Sequence, residues 1–162
     1  MDRTGISLVV SWIALIGLFG GASLAAEPLR IVTLGDSITK GVRPGVTDEQ
    51  TFAAELQRQL RAGQFPEAEV INVGIGGEMA GQGLKRLEND VVAKKPSIVT
   101  IMYGHNDSYV DAGQTAARVS IPRFRGDLSQ LVQRLREANI VPILMTPPAY
   151  AEKSGPNGIG EH

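Results

Sequence analysis

Three short segments of this chain hold residues able to do chemistry, and each directly follows an apolar run. They are Gly35-Asp36-Ser37, Asn72-Val73-Gly74-Ile75-Gly76-Gly77-Glu78 and Gly104-His105-Asn106-Asp107. Ser37 brings a hydroxyl, which becomes a nucleophile once a base takes its proton. The glycines allow a backbone N–H to approach a ligand closely and to adopt positive φ. Asn106 brings a side-chain amide that can donate to an oxyanion. A hydroxyl nucleophile and two kinds of N–H donor are what acyl transfer requires, with one further group, a base.

Each segment also has an architectural account. Serine at a strand-to-helix turn is often a helix N-cap, and on local sequence that account of Ser37 balances the nucleophilic one. The glycine cluster alone reads as a tight turn. As a dinucleotide loop it fails: Gly74 and Gly76 are spaced correctly, but Met79 stands where the third glycine is needed. Asn and Asp favour turns. Asn106-Asp107-Ser108 also fits a glycosylation acceptor pattern, which we read as a chance match. There is no Gly-x-Ser-x-Gly, so the sharp nucleophile elbow is absent.

The elements that must position these segments follow from the apolar pattern. Leu29–Leu34, Val70–Val73, Ile98–Tyr103 and Val141–Met145 read as strands. Pro142 places the fourth at an edge or at a strand start. Between them lie three helical patterns. Thr47-Asp48-Glu49-Gln50 is a capping box expected to open the first helix, with Phe52, Ala53, Leu56 and Leu60 on one face and Gly63 closing it. Leu84, Leu87 and Val91 mark the second helix, stopped before Pro96. Ser120 is positioned to cap the third, with Pro122 in its first turn and Phe124, Leu128, Leu131 and Leu135 at helical spacing. Alternating strands and helices predict right-handed βαβ units and a parallel sheet covered on both faces. All three chemical segments then fall at strand tips, where open α/β sheets place their sites.

Residues 1–26 stand apart. Asp2 and Arg3, the apolar stretch Ile6–Phe19 and the small residues Gly20–Ala26 have the layout of a cleaved export signal. The apolar part is shorter than the roughly 20 residues of a spanning helix, so no stable membrane span is expected after signal removal. The chain has no cysteine for lipid attachment or disulfides. Residues 27–162 then form one domain of ordinary size, secreted or periplasmic. A net charge of −1 gives no electrostatic footprint for nucleic acid. Two histidines and no cysteines argue against a transition-metal site, and no cofactor is implied. With 5% aromatic residues, a broad aromatic sugar platform is not encoded.

The order of the three segments and their shared placement resemble the SGNH, or GDSL, hydrolase superfamily. Gly35-Asp36-Ser37 resembles its first block, with Ser37 at the nucleophile position. Asn72 and Gly76-Gly77-Glu78 resemble the second block, which puts Gly77 at the oxyanion-hole glycine, and Gly83-Leu84 also fits. Gly104-x-Asn106-Asp107 resembles the third block, with Asn106 as the side-chain donor. The resemblance implies a flavodoxin-like three-layer α/β/α fold with a parallel sheet. It implies a serine esterase that takes a small-molecule or polysaccharide ester through a Ser37 acyl-enzyme. The oxyanion hole would be the N–H groups of Ser37 and Gly77 and the Asn106 amide, with Asp36 and Asp107 in support.

One block departs from the family pattern. The family carries Asp-x-x-His near its C-terminus, whereas here Ile159 stands three residues before His162. The domain is therefore read as incomplete, lacking its last βα unit, and the product as inactive without it. An extended backbone through His105 and Asn106 would turn their side chains apart, so His105 is expected to pack or hydrogen-bond locally. The wording of the third block and Thr146-Pro147-Pro148 is similar to branches that remove acetyl groups from polysaccharides. Lysophospholipase or acyl-thioesterase activity is the enzymatic alternative, and a non-catalytic fragment or binding module is the alternative of another class.

Overall fold

The computed structural model describes residues 27–148 except Val42. The proposed export signal, Ile159 and His162 lie outside the described residues. Four parallel strands, β1 (Arg30–Gly35), β2 (Glu69–Asn72), β3 (Ile98–Met102) and β4 (Val141–Leu144), form one sheet in the order β2-β1-β3-β4. Val32 pairs with Ile71 on one side and Val99 on the other, and Ile101 pairs with Leu34 and Leu144. The chain steps outward from β1 to β2, then crosses back over β1 to β3. β1 and β3 therefore flank a topological switch point, the place where open α/β sheets bind ligands. Strand limits differ from the sequence reading by one residue, the ordinary uncertainty of element ends.

The helices are α1 (Ser37–Lys40), α2 (Phe52–Ala62), α3 (Ala80–Asp90) and α4 (Ile121–Glu137). α3 and α4 pack together over one face of the sheet. Val32, Leu34, Val99 and Ile101 meet Leu87, Val91, Leu131 and Leu135 there as the buried core. Ile31 and Thr33 alternate with them and are buried on the other face. Two caps differ from expectation. The Thr47 box closes only a 3₁₀ turn, Asp48–Gln50, where the Gln50 side chain accepts the Thr47 N–H at 2.9 Å. α2 starts later, capped by Thr51, whose hydroxyl accepts the Ala54 N–H at 3.3 Å. That shift leaves Phe52 exposed at the first helical position, and Ala53 takes the buried place instead. Ser120 occupies the N-cap of α4, but its side chain makes no capping bond. Pro122, at the second helical position, lacks one of the N–H groups that a cap would serve.

Among the described residues β4 is the last strand of the sheet, with Pro142 its second residue, and it is apolar. Val141 is 57% exposed, Leu144 55%, and Ile121 at the start of α4 75%. Between α4 and β4 runs an apolar groove of about 920 Å³ that includes Ile121, Phe124, Leu128, Val132 and Leu144.

Candidate active site

The site is built from three loops at the carboxyl ends of β1, β2 and β3. After β1 the chain turns at Asp36 into the single turn α1. Asp36 is the N-cap, its carboxylate accepting the Ile38 N–H at 2.8 Å. Ser37 is therefore relieved of capping and lies exposed as the first residue of α1. Gly35 and Gly74 are required by close approach. A Cβ on Gly35 would collide with Thr39 and the Met102 carbonyl, and one on Gly74 with the backbone of Lys40.

Asn72 ties the second loop to the first. Its amide donates to the carbonyls of Thr39 and Lys40 at 3.0 and 3.1 Å, and its oxygen accepts the Gly74 N–H at 3.0 Å. It thus satisfies the C-terminal carbonyls of α1, which a helix this short leaves open. The loop then arches over Ile75 to Gly77. Gly77 has φ +77° with open space around its Cβ position, so its backbone conformation is what calls for glycine.

Residues 105–107 of the third loop form a turn after Gly104, whose φ is +126°, and not the extended backbone expected at His105. The turn brings Asn106 between the other two loops. Asn106 Nδ2 donates to the Glu78 carbonyl at 3.0 Å and makes a longer contact, 3.4 Å, to Asp36 Oδ2. Asn106 is thus bonded to the residue before Ser37 and to the residue after Gly77. Asp107 is buried. One carboxylate oxygen accepts the Ala80 N–H at 3.0 Å, at the start of α3, and the other the Gly104 N–H at 3.2 Å. Burial pushes the carboxyls of both Asp36 and Asp107 above the ordinary aspartate value, against the backbone N–H bonds that lower them.

Beneath the arch lies a charged network that the motif reading missed. The Glu78 carboxylate is 6% exposed and receives Arg86 Nε at 2.7 Å, Arg86 Nη2 at 2.5 Å and the Tyr103 hydroxyl at 2.6 Å. Arg86 Nη2 also donates to the Val73 carbonyl at 2.7 Å. Burial together with the Glu78 hydrogen bond holds the Tyr103 hydroxyl well above its usual range. Burial works against the Arg86 charge, but the bonds to Glu78 outweigh it and raise the guanidinium's pKa. Gly83 completes the fit, because a Cβ there would strike the Tyr103 hydroxyl. No spacing rule links Arg86 to Glu78. The visible signal is that Glu78 needs a partner if it is buried.

This fold, with its strand-tip serine, glycine arch and asparagine, is that of an SGNH-type hydrolase. The chain belongs to the GDSL-like Lipase/Acylhydrolase family, whose profile matches residues 33–160. It is similar to Esterase TesA of Pseudomonas aeruginosa, 30% identical over 132 residues, which are 80% of this chain and 60% of that protein. It is also similar to the uncharacterized lipoprotein YqeF of Bacillus subtilis, 33% identical over 116 residues, 72% of this chain and 47% of that one. Among solved structures, the acetyl xylan esterase AlAXEase superposes with a TM-score of 0.59 at 30% identity, covering 72% of this chain and 57% of that one. The chain thus spans between 47% and 60% of the length of these relatives. Among the described residues, no helix is long and apolar enough to cross a membrane.

Proposed function

We propose that this chain is an exported serine ester hydrolase acting on acetyl esters, with polysaccharide acetate as the substrate class. The observation that carries this reading is Asn106. Its side-chain nitrogen donates to the Glu78 carbonyl, next to Gly77, at 3.0 Å and makes a longer contact of 3.4 Å to Asp36, next to Ser37. With only one short bond made, the amide has donor capacity left for a developing oxyanion. In this reading a histidine base takes the Ser37 Oγ proton and Oγ attacks the ester carbonyl. The oxyanion is held by the N–H groups of Ser37 and Gly77 and by Asn106 Nδ2. Collapse of the tetrahedral intermediate expels the alcohol, which takes the proton, and water then releases the carboxylic acid from Ser37. Family membership supports ester hydrolysis, and the acetyl xylan esterase relative supports the acetyl preference.

The test is turnover of p-nitrophenyl acetate and release of acetate from acetylated xylan. Ser37→Ala is expected to abolish both, and Asn106→Ala to cost about 10²-fold. His105→Ala and His162→Ala, beside a version extended through any reading frame that follows His162, identify the base. Unchanged turnover in Ser37→Ala would sink the proposal.

A second reading has its own observation. Phe124 Cζ lies 3.4 Å from where a Cβ on Gly104 would stand, so the α4 groove begins beside the third loop. Such a groove suits a long acyl chain, as in a lysophospholipase or acyl-thioesterase. p-Nitrophenyl laurate hydrolysed faster than the acetate, with Leu128→Lys removing that preference, would favour it.

A further inference from the structure

We infer that Arg86 is the positioning residue of the oxyanion site, a clamp that sets both the Gly77 N–H and the Asn106 amide without touching substrate. The inference rests on the esterase reading above for its catalytic consequence, but its geometry does not depend on that reading. The loop from Val73 to Glu78 has glycine at three of its six positions and has little stiffness of its own. One guanidinium grips it at both ends. Nη2 holds the Val73 carbonyl at the start, and Nε with Nη2 holds both oxygens of the Glu78 carboxylate at the finish. Gly77 lies inside the closed arch. The Glu78 backbone carbonyl, fixed by the same grip, is also the acceptor that orients Asn106. Two donors from separate loops therefore share one anchor.

The anchor itself is rigid. Arg86 projects from α3 and its side chain is 14% exposed. Asp90, one helical turn on, accepts its remaining arm at 3.4 Å. Tyr103, the residue after β3, donates its hydroxyl to the same Glu78 oxygen that Arg86 Nη2 holds. Only a planar fork with several donors can serve two carboxylate oxygens and a carbonyl at once. A lysine ammonium in the same place keeps the charge but not that geometry.

The test compares Arg86→Gln, Arg86→Lys and Tyr103→Phe with the unsubstituted protein, the kinetics being read in whichever form, the chain as given or its version extended beyond His162, turns over p-nitrophenyl acetate. Two readouts apply: ¹⁵N relaxation at the Gly77 amide and Asn106 side chain, and steady-state kinetics per folded molecule. In the wild type the Gly77 order parameter should be near 0.85, and in Arg86→Gln below about 0.6, with Val32 in β1 unchanged. kcat should fall about 10²-fold with KM nearly constant, the signature of misplaced donors. Arg86→Lys should recover thermal stability but not kcat or order at Gly77, and Tyr103→Phe should show the same changes at smaller size. If Arg86→Gln does not fold, the other two variants decide. Unchanged order at Gly77 and Asn106 in folded variants overturns the inference, as does full recovery of kcat by lysine. Loss of turnover in Ser37→Ala with none in Arg86→Gln removes the clamp and leaves the esterase reading standing. Turnover that survives Ser37→Ala removes the esterase reading, and the relaxation data still judge the clamp.

Discussion

The tips of β1, β2 and β3 and the outer edge of β4 belong to one sheet, yet they solve opposite problems. At the tips, polar and charged side chains are buried, and most have a named partner: Asp36 with Ile38, Asp107 with Ala80 and Gly104, Glu78 with Arg86 and Tyr103. At the edge, apolar side chains face outward, with Val141, Ile143 and Leu144 exposed along the strand. A buried polar group left unpaired costs about 1–3 kcal/mol, whereas an exposed valine costs the fold little and instead offers a template for other strands. The tips should therefore be sensitive to deletion of single atoms, and the edge sensitive in solubility alone.

The largest expected effect is at Asp107. Asp107→Ala removes the acceptor of two N–H groups and should destabilise the fold by on the order of 3 kcal/mol, read as the midpoint of urea unfolding. Gly74→Ala comes next. Its methyl would meet the Lys40 backbone, which cannot give way as a side-chain tip can, and about 1–3 kcal/mol should be lost. Gly77→Ala lies in open space, so only its positive φ is penalised, at about 1–2 kcal/mol. Should Gly77→Ala destabilise more than Gly74→Ala, the close-packed account of the tips is wrong.

A smaller effect is a slope in pH. Burial raises the folded-state pKa of Asp36 above 3.8, so the folded chain keeps a proton that the unfolded chain has released. Stability from this group is therefore greatest below 3.8 and falls as pH rises through the folded value. Asp36→Asn still caps Ile38 but cannot ionise. Its stability relative to wild type should rise with pH across that window and then level off, measured by urea titration at each pH. A difference that falls with pH would reverse the assignment. The smallest effect on stability is at the edge. Val141→Lys with Ile143→Lys should change the unfolding free energy by less than about 0.5 kcal/mol each. The pair should nevertheless suppress aggregation, read by light scattering on heating.

Much of this protein is written locally. The alternation of apolar runs with helical spacing determined a parallel α/β sheet, because each element's buried face is recorded in the residues that form it. Pro142 marked an edge or a strand start for the same local reason, having no N–H to donate to a neighbour, and it stands second in β4, the last strand among the described residues. The placing of Ser37, Gly77 and Asn106 just past strand ends was legible too. Other matters were decided only by the tertiary structure. Whether Ser37 caps α1 or is free for chemistry is a choice that local sequence leaves even, and in the structure the Asp36 carboxylate takes the Ile38 N–H. Which of two successive caps opens α2 was settled by Thr51 over Thr47. The strand order and the arch clamped by Arg86 depend on groups that meet across the fold, such as Asn72 with α1 and Asn106 with Glu78. A polar side chain can find its partner anywhere that burial brings one. Spacing along the chain says where Glu78 stands, and only the packing of α3 against the sheet says that Arg86 is there to meet it.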